Sequence, residues 1–190
     1  MRAMPNMIVV APGDAIEARK AVVEAAKNGK PTYLRLAREE TPVFTTEGTP
    51  FKMGRAEIFW EAKDPQVAII ACGPLVYEAL LAAKALEKIG IEALVINSHT
   101  VKPLDEKEII RAAKITGAVV TVEEHQITGG LGGAVAEVLA RNYPVPMEFI
   151  GMPDSFGESG EPDELLEKYS MKSKDIVETA KKVIARKEKL

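Results

Sequence analysis

The chain has 190 residues, of which 46% are hydrophobic and 28% are charged, and its formal net charge at pH 7 is −3. This length suits one full α/β domain plus part of another, and the interspersed charges give no basic field that would attract nucleic acid or an anionic membrane leaflet. The longest apolar stretches are far shorter than the roughly 20 residues of a membrane-spanning helix, so neither nucleic acid nor a membrane is expected as a partner.

The first forty residues predict one β-α-β unit. An apolar strand over residues 8–11 precedes Asp14 and Glu17, whose spacing is typical of a helix start with a side-chain acceptor and a returning carboxylate. A helix is predicted over residues 15–28 and a second strand over residues 32–37. The apolar stripe of this helix consists of Ala15, Ala18, Val22, Ala25 and Ala26.

Residues 41–53 contain prolines and threonines without periodicity and are predicted to be a linker. Beyond it, strands and helices alternate over residues 54–190, which predicts a three-layer α/β domain with a mainly parallel sheet of about five strands. Cys72, the single cysteine, is expected in a buried strand and fits a reducing, cytoplasmic location. The predicted strands are 56–60, 67–72, 92–97, 118–123 and 147–150, and the predicted helices are 74–89, 105–115, 132–141 and 173–186.

A glycine-rich turn from Gly129 to Gly133 follows Glu123-Glu124-His125 at the end of a predicted strand. Such a turn at a strand's carboxyl end could let backbone N–H groups approach a phosphate. The spacing fits neither the dinucleotide fingerprint nor the phosphate-binding loop, however. Tight packing of the helix on the strand, or a close subunit contact, is the alternative, since both require a missing Cβ.

Other candidate site residues also allow two interpretations. His125 could serve in acid–base chemistry or ligate a metal with Glu123, but no metal-ligand spacing is satisfied, which favours a structural hydrogen bond or an interface role. Arg38, at the end of the second strand, could bind a phosphate or carboxylate, or form an exposed ion pair with a neighbouring glutamate. Arg35 is expected to face a partner surface or solvent. The segment 154–160 could be an anion nest or a tight loop.

Five segments, in order, resemble transketolases and their relatives: RAMPNMIVVAPGDAIEA, PTYLRLARE, SHTVKPLD, VTVEEHQITGGLGGAVAEVLA and MPDSFGESG. The resemblance implies that residues 1–40 are the end of a pyrimidine-binding domain and that residues 54–190 are a transketolase C-terminal domain. It also implies transfer of a two-carbon ketol unit between sugar phosphates with thiamine diphosphate and Mg²⁺. Arg38 is then the residue that contacts the substrate phosphate, although Ala37-Arg38-Glu39 stands where many transketolases have Ser-Arg-Gln.

By the same resemblance, the glutamate that activates the cofactor and the histidines that contact the donor sugar would precede residue 1, and the Mg²⁺ motif belongs to another domain. We therefore expect no catalytic, cofactor-binding or metal-binding residue in this chain. The chain is expected to be part of a longer polypeptide or of a split enzyme, inactive alone. It would act as a homodimer or in a complex with an N-terminal transketolase portion.

Two alternatives remain at this point. A beta-type subunit of a 2-oxo-acid dehydrogenase complex and a deoxyxylulose-phosphate synthase share this domain pair, but they usually show an Arg-Tyr-Pro-Arg-like stretch where this chain has Arg35-Leu36-Ala37-Arg38. The other alternative is a non-catalytic interaction module whose sheet and glycine-rich turn serve assembly only.

Overall fold

The structure, a computed structural model, describes residues 1–189. The strands are β1 Ile8–Val10, β2 Thr32–Leu34, β3 Glu57–Glu61, β4 Val67–Ala71, β5 Ala93–Asn97, β6 Thr100–Lys102, β7 Val119–Gln126 and β8 Met147–Met152. The α-helices are α1 Ala15–Asn28, α2 Val76–Glu87, α3 Glu106–Thr116, α4 Leu131–Asn142, α5 Pro162–Lys168 and α6 Ser173–Lys187. No helix within these residues is long and apolar enough to cross a membrane.

The larger sheet has five strands in the order β3-β5-β4-β7-β8. All neighbours run parallel except β3, which is antiparallel to β5. Every residue of β4 and β5 is buried, because α2 and α6 cover one face and α3 and α4 cover the other. The α/β fold with a mainly parallel sheet of about five strands is therefore confirmed.

The smaller sheet has three strands in the order β2-β1-β6. β1 is parallel to β2 and antiparallel to β6, a strand that the sequence analysis did not predict and that follows β5 of the larger sheet. β1 is therefore the central strand of this sheet, with β6 on the side opposite β2. The edge strands of the sheet are β2 and β6, and neither has a further neighbouring strand among the described residues.

The linker is fixed to α1 by the carboxylate of Asp14. This buried side chain accepts hydrogen bonds from the N–H groups of Glu17, Phe44 and Thr45 and from the Thr45 hydroxyl, at 2.6–2.9 Å. Burial alone would raise the pKa of Asp14, but these donors together lower it. The helix start is thus confirmed in part: Glu17 does not return to the cap residue but accepts from Gly13 N–H at 2.6 Å.

Candidate functional site

A cleft of about 530 Å³ lies between the two sheets, at the carboxyl ends of β1, β2, β4 and β7. This is the edge of an α/β sheet at which ligands bind. The cleft brings together most of the residues that the sequence analysis singled out, together with Arg2 and Tyr33, which it did not consider. The charged and aromatic side chains that line it are Arg2, Tyr33, Arg35, Arg38, Glu123, Glu124 and His125.

Arg38 lies at the rim of this cleft, beyond the end of β2. Its side chain is 90% exposed and forms an ion pair with Glu39, in which Nε donates to Glu39 Oε1 at 2.8 Å. The exposed ion pair is one of the two arrangements that the sequence allowed. The guanidinium nevertheless keeps most of its surface open to the solvent side of the cleft.

Arg35 connects the two walls of the cleft. Its backbone N–H donates to Val10 O at 2.8 Å, which continues the ladder between β1 and β2. Its guanidinium Nη2 donates to the carbonyl oxygen of Glu124 at 2.6 Å, at the end of β7. Arg35 was expected to face a partner or solvent, and the contact with the larger sheet is a finding that the sequence analysis missed.

The glycine-rich turn holds a carboxylate of the chain itself. Glu123 is 3% exposed, and its two carboxylate oxygens accept from the N–H groups of Leu131 and Gly132, at 2.7 and 2.8 Å. Burial raises the pKa of Glu123, although these two donors, and Arg2 and His125 nearby, oppose the rise. Since Glu123 already occupies the start of α4, a phosphate on these amides would meet a buried carboxylate, and the phosphate interpretation of this turn is not supported.

The alternative interpretation, tight packing, is confirmed for two of the glycines. A Cβ on Gly130 would lie 2.0 Å from Glu123 Oε2. A Cβ on Gly132 would lie 2.6 Å from Phe149 Cδ1 and 2.8 Å from Thr121 Oγ1, on β8 and β7. Hydrogen at these positions is what lets α4 begin directly against the sheet.

The remaining predicted residues form local hydrogen bonds. His125 is partly exposed, its Nδ1 is 2.7 Å from the carbonyl oxygen of Gln126, and it lies 3.8 Å from Glu123 Oε2. Within residues 1–189, no group of three or more His, Cys, Asp or Glu side chains could hold a metal ion. In the segment after β8, Asp154 accepts from Gln126 Nε2 at 2.5 Å and Ser155 N–H donates to Pro153 O, which is the tight-loop arrangement.

Arg2 completes the cleft wall, and the sequence analysis did not identify it as a site residue. Its guanidinium forms a bidentate pair with the Glu137 carboxylate at 2.8 Å and donates to Gly129 O at 3.0 Å. Lys102 Nζ donates to the backbone oxygens of Arg2 and Met4. No local pattern could have shown this pair, because its partners are 135 residues apart in the sequence.

Comparison with known proteins agrees with the resemblance. The family described as Transketolase, C-terminal domain matches residues 54–176. The 6-deoxy-6-sulfo-D-fructose transketolase subunit of a Clostridium species is 44% identical over 187 residues, covering 98% of this chain and 58% of that protein. One subunit of the apulose-4-phosphate transketolase of Phocaeicola vulgatus is 37% identical, covering 95% of this chain and 57% of that protein.

A solved structure described as a split-gene transketolase, inactive beta4 tetramer, has a TM-score of 0.94 at 42% identity, covering 98% of this chain and 61% of that one. This chain thus spans little more than half the length of the relatives that it matches. The family match covers most of the larger sheet, and the fold agrees throughout with a protein of that class. The chain therefore belongs to the transketolase family, whose C-terminal domain it contains.

Proposed function

We propose that this chain is the C-terminal part of a transketolase, which transfers a two-carbon ketol unit between sugar phosphates. The observation that carries the proposal is the position of Arg38, four residues beyond the carboxyl end of β2 and on the rim of a cleft, with its guanidinium open to a ligand. A guanidinium can bind a phosphate through two parallel hydrogen bonds. The two similar transketolase subunits are named for different sugars, so the sugar itself stays open.

The ion pair between Arg38 and Glu39 is compatible with this role. Pairs of exposed charges contribute about 0–1 kcal/mol to stability, so a phosphate can displace the Glu39 carboxylate at little cost. Arg35 and Arg2, by contrast, are held by the Glu124 carbonyl and by Glu137. Of the three arginines that line the cleft, Arg38 is the one placed to exchange its partner for a substrate.

Two observations support the proposal that thiamine diphosphate and Mg²⁺ bind outside the described residues. Within residues 1–189, no three His, Cys, Asp or Glu side chains lie together so that they could hold a metal ion. At the start of α4, the N–H groups that could bind a diphosphate already donate to the Glu123 carboxylate. We propose that a complementing transketolase portion holds both the cofactor and the metal ion. This chain would contribute the phosphate contact and dimer assembly, and it would be inactive alone. A cytoplasmic site of action, expected from Cys72, stays a prediction.

The test is reconstitution. Calorimetry with thiamine diphosphate and Mg²⁺ is carried out on the chain alone and on the chain mixed with a complementing portion from a transketolase subunit, and ketol transfer is then assayed in the mixture. Binding and transfer only in the mixture would support the proposal. Tight binding by the chain alone would contradict it, and activity with pyruvate and glyceraldehyde 3-phosphate instead would favour a deoxyxylulose-phosphate synthase.

The role of Arg38 is tested in the active mixture. For Arg38→Ala we expect a rise in KM for a phosphorylated acceptor of about tenfold or more, because a charge-assisted hydrogen bond to the phosphate is lost. The KM for the unphosphorylated aldose should not change. Lys63→Ala, which removes an exposed cation on the loop before β4, is the matched control. Equal effects of Arg38→Ala on both acceptors would exclude a phosphate contact.

A further inference from the structure

Arg38 and Glu39 are neighbours in the chain and form one charged pair on the rim of the cleft. Nε and Nη2 of Arg38 both lie 2.8 Å from the same carboxylate oxygen, Glu39 Oε1, so the carboxylate occupies one edge of the guanidinium. Within residues 1–189, Arg38 Nη1 donates no hydrogen bond, so the end of the guanidinium is open to a ligand. An anion that binds there lies close to the Glu39 carboxylate.

The surroundings of this pair offer little additional positive charge. A second hollow, lined by the start of the linker, the start of α2 and the segment between β8 and α6, also reaches Arg38. Among the residues that line this hollow, acidic side chains outnumber basic ones, and Lys172 already pairs with Glu78 and Asp163. An extra negative charge on a ligand at Arg38 therefore gains little attraction from this side.

We propose that Glu39 is a specificity-determining residue, which shifts the selection of the Arg38 site from doubly charged toward singly charged end groups of the substrate. The substrate class that this favours is sugars ending in a singly charged tetrahedral group, either a sulfonate or a singly ionised phosphate. The inference rests on the proposed function for the substrate being a sugar, and it adds the charge of the end group that Arg38 binds.

The two kinds of end group differ in charge rather than in the oxygens that they offer to a guanidinium. A phosphate monoester presents three acceptor oxygens and carries a charge of about −1.5 to −2 at pH 7, because its second pKa is about 6. A sulfonate also presents three oxygens but carries a single charge. The repulsion between two unit charges about 4 Å apart in water corresponds to about a fivefold change in an equilibrium constant. Arg38 thus attracts the second charge of a phosphate, and Glu39 repels it to a similar extent.

Arg38 itself can report the binding of both kinds of anion, without cofactor or turnover. The isotope-labelled chain is titrated at about pH 7.5 with methyl phosphate and with methanesulfonate, and the Nε–H resonance of Arg38 is followed by NMR. The quantity compared is the Kd for methyl phosphate divided by the Kd for methanesulfonate. For Glu39→Gln we expect this ratio to fall about three- to fivefold, because the doubly charged anion gains more than the singly charged one when the carboxylate is removed. Raising the salt concentration should reduce the difference.

Two further variants separate the charge of Glu39 from its shape. Glu39→Asp keeps the carboxylate on a shorter side chain and should keep the ratio close to the wild-type value. Glu47→Gln is the matched control, because Glu47 forms an exposed ion pair with Arg19 and lines neither hollow, so that the ratio should not change. Thermal unfolding of the variants checks that each one is folded.

Three outcomes would overturn the inference. They are the absence of any response of Arg38 to either anion, an unchanged ratio in Glu39→Gln, and a fall in Glu39→Asp or Glu47→Gln as large as that in Glu39→Gln.

Kinetics in the active mixture then connect this selection to the reaction. Glu39→Gln should raise kcat/KM for fructose with a phosphate on its last carbon about three- to fivefold more than for fructose with a sulfonate there. If Arg38 titrates as expected but no ketol transfer is reconstituted, charge selection by Glu39 stands and the proposed function fails. If ketol transfer is reconstituted and Glu39→Gln changes neither ratio, the proposed function stands and charge selection fails.

Discussion

Glu17 gives the sharpest prediction, because it is a carboxyl group buried between the two sheets. It is 2% exposed, and its oxygens accept from Gly13 N–H at 2.6 Å and from Asn97 Nδ2 at 2.7 Å. Burial raises the pKa of Glu17 from its usual 4.5 to about 7, although both hydrogen bonds oppose the rise. A tenfold change in proton affinity corresponds to about 1.4 kcal/mol, so ionising Glu17 costs the folded protein on the order of 3 kcal/mol.

The linkage between proton binding and folding determines whether Glu17 raises or lowers the free energy of unfolding as the pH changes. Between pH 4.5 and about 7 the folded state binds more protons at Glu17 than the unfolded state, so this group lowers the free energy of unfolding as the pH rises through that window. His99 acts in the opposite direction, because burial lowers its pKa from 6.5 to about 4. The folded state then binds fewer protons at His99, and stability rises with pH up to about 6.5. In the wild type, His99 therefore opposes the effect of Glu17 over most of this pH window.

The substitution Glu17→Gln removes the pH effect of Glu17 and leaves that of His99. The glutamine carbonyl can accept from Gly13 N–H, and its amide can donate to Asn97 Oδ1, an atom that lacks a hydrogen-bond partner among the described residues, once the Asn97 amide flips. We expect the difference in free energy of unfolding, variant minus wild type, to grow between pH 4.5 and 7. At pH 8 the variant should be more stable than wild type by about 1–3 kcal/mol.

Urea unfolding across this pH range measures the difference. The exposed Glu87→Gln on α2 is the control and should follow the wild-type profile. A difference between Glu17→Gln and wild type that does not vary with pH would refute the argument. So would a variant that is less stable than wild type at pH 8.

Two further substitutions test the packing of α4 and the attachment of the linker. Gly132→Ala should lower the free energy of unfolding by about 1–2 kcal/mol, because its Cβ would overlap Phe149 and Thr121, whereas Gly157→Ala, with nothing within 4 Å, should have little effect. A Gly132→Ala protein as stable as wild type would show that Phe149 moves aside freely. Asp14→Ala should cost about 3 kcal/mol in urea unfolding, since it removes the cap of α1 and leaves linker N–H groups unpaired. Asp14→Asn, which keeps one acceptor oxygen, should lose about half as much, and equal losses would contradict this.

The parts of the fold that the sequence predicted are those decided by local chemistry. β4 is a continuous apolar run, β5 is apolar up to Asn97, and α3 is capped by Asp105, whose carboxylate accepts from Glu108 N–H. β6 was missed because three residues carry no periodicity and become a strand only by pairing with β1. α5 was not predicted, although a proline in its first turn followed by acidic residues is typical of a helix start.

Within the candidate site, the sequence predicted only those residues that a local pattern or the family resemblance identifies. Arg38 was identified from its place at a strand end and from the resemblance, and Glu123 was noticed beside the glycine-rich turn. The sequence could not show that Glu123 fills this turn, since the hydrogen bonds with α4 depend on how the helix packs on β7. Arg35 is exposed, as the sequence predicted, but its contact with the larger sheet could not be predicted for a similar reason. Its partner, the Glu124 carbonyl, is 89 residues away and belongs to the other sheet.

These long-range contacts attach the segment that carries Arg38 to the larger sheet. The small sheet is attached to the larger one by Ala11 N–H to His99 O, Gly73 N–H to Ala11 O, and the Arg35 contact with Glu124. Arg38 follows Arg35 by three residues, so the contact of Arg35 with Glu124 limits how far the backbone at Arg38 can move. If Arg38 binds a substrate phosphate as proposed, a backbone that is already held in this way loses less ordering entropy on binding.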